Sequence, residues 1–124
     1  MKVSVVIAVE SVNDYVRQGI PKILEGDFSD FEILVFTSQP TSEVFANTRF
    51  VVNPELAGNP AQRRDLALSE AQGEILAFLD DDAYPCPAWL SAATKHFDDP
   101  RVAAVGGPGV TPPEDDWKRQ VSGF

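Results

Sequence analysis

One cysteine and one histidine among 124 residues leave little material for several kinds of chemistry. Cys86 has no second cysteine in the chain with which to form a disulfide, and His96 alone beside it cannot complete a four-ligand zinc pattern. A reducing cytoplasm is therefore the expected setting. Long apolar runs are also missing. Val3 to Val9 is too short to span a bilayer and lacks the small-residue cleavage pattern of a signal peptide, so no membrane segment is expected. Positive charge is scarce: ten Lys and Arg stand against nineteen Asp and Glu, a net charge of -9. That balance opposes binding to phosphate backbones or anionic membrane surfaces unless a metal or local positive charge intervenes, and nucleic acid is not an expected partner. Internal repeats are absent as well. With 44% hydrophobic residues the chain can bury one core, and one domain over 1–124 is the working count.

What the chain does have is Phe78-Leu79-Asp80-Asp81-Asp82, an apolar strand that delivers three consecutive carboxylates to its C-terminal end. Open α/β sheets bind ligands at that end. Adjacent carboxylates repel one another unless a cation sits among them. Mg2+ or Mn2+ suits oxygen ligands, taking one or two carboxylates from a protein and the rest from substrate phosphates and water. The inferred ligand is a metal diphosphate. A solvated acidic turn is the bland alternative.

The rest of the chain alternates strand and helix signals. Val3 to Val9, β-branched and nearly all apolar, reads as a central strand buried on both faces of a parallel sheet. Asn13 caps a helix to about Leu24, with Pro21 inside it and Gly26 beyond its end. Phe31 to Phe36 is a second strand closed by Thr37-Ser38-Gln39-Pro40, and Phe50 to Val52 a short third. Asn59-Pro60 opens a helix through about Ala71 that Gly73 closes. Ile75 to Leu79 carries the aspartates, Trp89 to Phe97 reads as helix, and Val102 to Val105 as a further strand before a Gly106-Gly107-Pro108-Gly109 turn. The spacing predicts right-handed βαβ crossovers and a mostly parallel sheet with helices on both faces. Trp117 to Phe124 brings no helix stop or polar tail, so the chain reads as cut within a larger fold. An exposed edge and apolar face at the cut are expected to favour self-association.

Together these segments resemble the nucleotide-sugar-binding half of the family 2 glycosyltransferases, inverting enzymes with the GT-A, Rossmann-like fold. The resemblance covers nearly the whole chain. It rests on Val3-Ser4-Val5-Val6-Ile7, Phe31-Glu32-Ile33-Leu34-Val35, the proline-led Pro60-Ala61-Gln62-Arg63-Arg64-Asp65, and above all Gly73-Glu74-Ile75-Leu76-Ala77-Phe78-Leu79-Asp80-Asp81-Asp82 followed by a proline and Trp89-Leu90. It implies a donor-binding portion of a metal-dependent sugar transferase, without the acceptor-binding portion. By the same resemblance Asp80 and Asp82 form an Asp-x-Asp pair holding Mn2+ or Mg2+, with Asp82 on the metal and Asp80 or Asp81 near the ribose. Ala8, Val9, Glu10, Thr37 and Arg64 would line the nucleotide sugar. Arg64 would help neutralise the diphosphate, while Arg63 reads as the solvated arginine of the pair. No catalytic base is assigned, because the family carries it in the other half.

Two departures leave the base open. Ala8-Val9-Glu10-Ser11 stands where the family usually has Pro-x-Tyr-Asn, so an aromatic neighbour of the base is lost. Thr37-Ser38-Gln39-Pro40 stands where it usually has Asp-Asp-Gly-Ser, so the carboxylate that would hydrogen-bond the base is missing, though Thr37 can donate or accept. A degenerate sugar-nucleotide-binding module without turnover is one alternative. A nucleotidyltransferase is another, against which Glu10-Ser11-Val12-Asn13 offers no glycine-rich basic loop. A signalling receiver-type domain would need acidic residues after the first strand and a late lysine that Gly106-Gly107 does not supply. Trp89 reads as helix-to-sheet packing, His96 as surface or helix-terminal, Cys86 as chemically idle for want of an activating histidine, and Glu114-Asp115-Asp116 as a solvated loop or helix cap.

Overall fold

The computed structural model describes residues 2–110. These divide after Leu90 into two compact units. In the first, β1 (Val3–Ala8), β2 (Phe31–Thr37), β3 (Thr48–Val52) and β4 (Ile75–Phe78) form an all-parallel sheet in the order β3-β2-β1-β4. Val3 lies opposite Phe31 on one side and Ile75 on the other, so the C-terminal ends of these three strands open at the same edge. Helix α1 (Asp14–Leu24) follows β1, while α2 (Pro60–Asp65) and α3 (Ala67–Glu70) lie between β3 and β4.

The alternation of side chains along a strand explains why both faces are covered. Val3, Val5 and Ile7 of β1, with Ile33 and Val35 of β2, pack against Val16, Ile20 and Ile23 of α1 and against Leu90. Val6, Leu34 and Phe36 point to the opposite face and meet Ala67 of α3. Each fully buried aliphatic of the α1 stripe is worth about 1.5–3 kcal/mol against exposure. That is enough for α1 to tolerate Pro21, whose missing N–H removes one bond near the last turn. The helix starts where expected. Asn13 is extended (φ -124°, ψ 179°), and its Oδ1 accepts from the Val16 N–H at 2.9 Å.

The helix expected from Pro60 to Ala71 is present in two pieces joined at Leu66, whose φ of -61° and ψ of -23° give a tighter, 3-10-like turn. Asn59 caps it through the Gln62 N–H at 3.1 Å. Gly73 does not close that helix, which already ends at Glu70. Its role is close approach: a Cβ at Gly73 would lie 2.5 Å from the Ser4 backbone N of β1. There the Gly73 N–H donates to Ser4 Oγ at 2.8 Å, and Ser4 Oγ donates to Glu32 at 2.6 Å. The Gln72 N–H also donates to Glu32, at 2.7 Å. Burial acts to raise the Glu32 carboxyl, but the Ser4 and Gln72 hydrogen bonds outweigh it and hold that group below the ordinary carboxylate range.

Helix α4 (Trp89–Thr94) is shorter than the expected Trp89 to Phe97 and tightens into a 3-10 turn over Lys95–Asp98. In the second unit the strand expected over Val102 to Val105 is not formed, and residues 102–110 take no regular structure. Val105 is 40% exposed there. A β-branched run becomes a strand when a neighbouring strand and a covered face accept it, and this one has neither among the described residues. The expectation for Glu114-Asp115-Asp116, a solvated loop or the cap of a helix starting near Trp117, lies outside the described residues.

Candidate functional site

Parallel strands bring three loops to one edge: residues 9–13 after β1, Ser38 onward after β2, and Leu79 onward after β4. Helix α2 approaches the same edge from the segment beyond β3. Two clusters of charge form there.

The first is built around Glu10. Its carboxylate accepts from Ser38 Oγ, from the Gly58 N–H at 2.6 Å and from Arg63 Nη2, while its backbone oxygen accepts from the N–H groups of Ser38 and Gln39 at 3.0 and 3.1 Å. The Ser38 hydroxyl first, then the Gly58 N–H and the Arg63 guanidinium, hold the Glu10 carboxyl below its ordinary range. Gly58 has a positive φ of 75°, which turns the chain before α2 and presents that N–H. Arg63 is thus not the solvated arginine: it is 2% exposed and salt-bridged to Glu10, with its Nε buried and unpartnered among the described residues. No local signal marked this: Ala67, four residues on and so near the same helix face, is fully buried on the sheet, which only the folded chain shows. Thr37 is likewise fully buried, and its hydroxyl donates to the Gln39 carbonyl at 2.8 Å, so it braces the turn after β2 instead of offering a free group at the surface. Val9 is nearly buried and donates its N–H to the Phe36 carbonyl at 3.0 Å, with Ala8 half-buried before it.

The second cluster is the acidic turn. Arg64, one position round the helix from Arg63, places Nη2 3.4 Å from Asp80 Oδ1. The side chains are 42% and 70% exposed, so this pair is long, solvated and easily opened. Asp81 accepts from Asn13 Nδ2 at 2.9 Å. Asp82 is exposed and makes no hydrogen bond or ion pair with another described residue. Tyr84 anchors the turn to α1, its hydroxyl donating to Gln18 Oε1 at 3.0 Å and its ring lying 4.8 Å from the Lys22 ammonium. Burial, then the nearby Tyr15, Asp82 and Asp81, push the Tyr84 phenol up.

No group of three His, Cys, Asp or Glu is gathered into a metal cage among the described residues. The donors on offer, Asp80 and Asp82, are hard oxygens at an open surface. They fit a cation that takes one or two carboxylates and completes its shell with phosphate oxygens and water, and they do not fit a self-sufficient calcium or zinc centre. Elsewhere the readings are plain. Trp89 packs partly buried against the core, His96 is exposed, and Cys86 is exposed and free.

An all-parallel sheet with helices on both faces and a charged C-terminal edge is the GT-A, Rossmann-like arrangement. The model of the family "Glycosyl transferase family 2" matches residues 4–124, and the chain belongs to that family. A curated relative, the poly(ribitol-phosphate) beta-N-acetylglucosaminyltransferase TarS of Staphylococcus aureus, is 26% identical over 128 residues, covering 89% of this chain and 22% of that protein. The chain therefore spans about a fifth of the length of the curated relatives it matches. The S. aureus TarS structure shares the fold with a TM-score of 0.67 and 23% identity, over 92% of this chain and 24% of that one. The mannosyltransferase PcManGT from Pyrobaculum calidifontis, solved with GDP-Man and Mn2+, gives a TM-score of 0.73 and 26% identity, over 92% of this chain and 36% of that one. No described helix is long and apolar enough to cross a membrane.

Proposed function

We propose that this chain holds the donor of a metal-dependent sugar transfer, a nucleoside-diphosphate sugar seated with Mn2+ or Mg2+ against the acidic turn. The observation that carries the reading is the Arg64–Asp80 contact of 3.4 Å at the C-terminal end of β4. It sets a cation for phosphate beside carboxylates for metal, both solvent-accessible. TarS has been solved with UDP-GlcNAc and PcManGT with GDP-Man and Mn2+, which supports the same ligand class here.

Asp82 and Asp80 would hold the cation, which when bound offsets negative charge building on the departing diphosphate. Arg64 turns its planar fork from Asp80 to phosphate oxygens. The backbone of Ala8 and Val9, with Glu10 and the turn braced by Thr37, forms the wall toward the nucleoside. An acceptor hydroxyl then displaces the diphosphate with inversion, and no residue of this chain is assigned as its base. The cytoplasm is the proposed setting, on the strength of the single cysteine. Calorimetric titration with UDP, GDP and ADP, each with Mn2+ and with chelator, tests the reading. Binding of at least one that is lost with chelator is expected, and metal-independent or absent binding of all three would overturn it.

A further inference from the structure

We propose that Asn13 is a positioning residue for the acidic turn, and that it holds Asp81 away from the ligand so that Asp80 and Asp82 face it. The inference rests on the reading of that turn as the metal and diphosphate site. Asn13 uses both ends of its amide. Oδ1 accepts from the Val16 N–H at 2.9 Å and caps α1, while Nδ2 donates to Asp81 Oδ2 at 2.9 Å, across 68 positions of sequence. An amide can do both at once with separate atoms, because it carries an acceptor and donors on one plane.

The turn has a second seat on the same helix. The Tyr84 ring lies where a Cβ on Gly19 would be 3.3 Å from it, and its hydroxyl reaches Gln18. Helix α1 therefore fixes the turn at Asp81 and again at Tyr84, one helix end and one helix face. Of the three aspartates, Asp80 meets the exposed Arg64, Asp81 is taken by Asn13, and Asp82 makes no hydrogen bond or ion pair with another described residue. A run of three like charges is thereby sorted into one anchor and two outward groups. The bond from Asn13 also answers part of the repulsion inside the run.

The test separates the cap from the anchor. Asn13→Ser keeps an oxygen for the Val16 N–H and loses Nδ2; Asn13→Asp keeps the cap and sets a carboxylate against Asp81. Both should melt close to the parent. Mn2+-dependent affinity for UDP or GDP should fall about 3–10-fold in Asn13→Ser, the range of one lost hydrogen bond, and further in Asn13→Asp. The exchange variant Asn13→Asp with Asp81→Asn reverses donor and acceptor at constant charge, and should recover most of the loss. Amide hydrogen exchange over residues 80–84 of the free chain reads the anchor without ligand, and should quicken in both single variants and slow again in the exchange variant. Unchanged exchange in Asn13→Asp, or an exchange variant binding worse than Asn13→Asp, would overturn the proposal. Failure of the parent chain to bind any metal nucleoside diphosphate would overturn the functional reading, a result distinct from either.

Discussion

The Arg63 guanidinium, 2% exposed, is salt-bridged to the Glu10 carboxylate, and this pair ties helix α2 to the end of strand β1. The two partners are not equivalent, since Glu10 is 51% exposed on its side chain. Removing Glu10 leaves a buried cation without its counter-charge, whereas removing the guanidinium leaves a carboxylate that water can reach. Glu10→Ala should therefore lower the melting temperature more than Arg63→Met, which keeps much of the buried volume. Equal losses, measured by thermal denaturation at pH 7, would show that the pair is not buried on the arginine side.

The same carboxylate gives the fold a dependence on acid. Glu10 is held below its ordinary value of 4.5 by Ser38, Gly58 and Arg63, and Glu32 is also held low. A group whose folded pKa is depressed stabilises the fold above its unfolded value, and that contribution is lost as pH falls through the folded value. Stability should be level above about pH 5.5 and decline below 4.5. Glu10→Gln should start lower at neutral pH and decline less steeply.

Gly73→Ala should destabilise the fold where the chain passes β1 just before β4. The added methyl would meet the Ser4 backbone N at 2.5 Å and its hydroxyl at 2.6 Å, and backbone cannot step aside as a side-chain tip can. Overpacking of this kind costs about 1–3 kcal/mol. For a domain of this size that is a fall in melting temperature of roughly 5–20 °C. A drop under 2 °C would mean that the approach of Gly73 to β1 is looser than described.

The neighbouring arginines should part company when each is changed to lysine. Arg64→Lys keeps charge at the exposed position but loses the two-pronged fork, so metal nucleoside diphosphate affinity should fall about 3–10-fold with the melting temperature unchanged. Arg63→Lys should do the reverse, since a lysine ammonium cannot replace the buried guanidinium beside Glu10 without disturbing the packing. Parallel effects of the two on binding would contradict the assignment of one to the fold and the other to the ligand.

Much of this architecture was legible in the sequence because local signals agreed with the fold. Apolar β-branched runs marked β1 and β2, Asn13 and Asn59 marked two helix starts, and Ile75 to Leu79 marked β4 ahead of the aspartates. What was misread depended on contacts across the chain. Arg63 looked solvated because charge is mostly exposed, yet a glutamate 53 positions away, itself held by the Gly58 N–H, accepts from it. Val102 to Val105 had strand composition without a partner strand among the described residues. Gly73 had the look of a helix stop while serving a strand contact, and only the packed sheet distinguishes the two. The Asn13–Asp81 bond joins residues 68 apart, and nothing local announces it.

The most direct test of the account is to see where Mn2+ sits. In the 15N-labelled chain with UDP or GDP present, substoichiometric Mn2+ should broaden amide signals of residues 79–83 and the Arg64 side-chain signal first, and Asp82→Ala should abolish that local broadening. Broadening centred elsewhere, for example on Asp98 and Asp99, or a pattern at the acidic turn that survives Asp82→Ala unchanged, would contradict the assignment of this edge as the metal and diphosphate site.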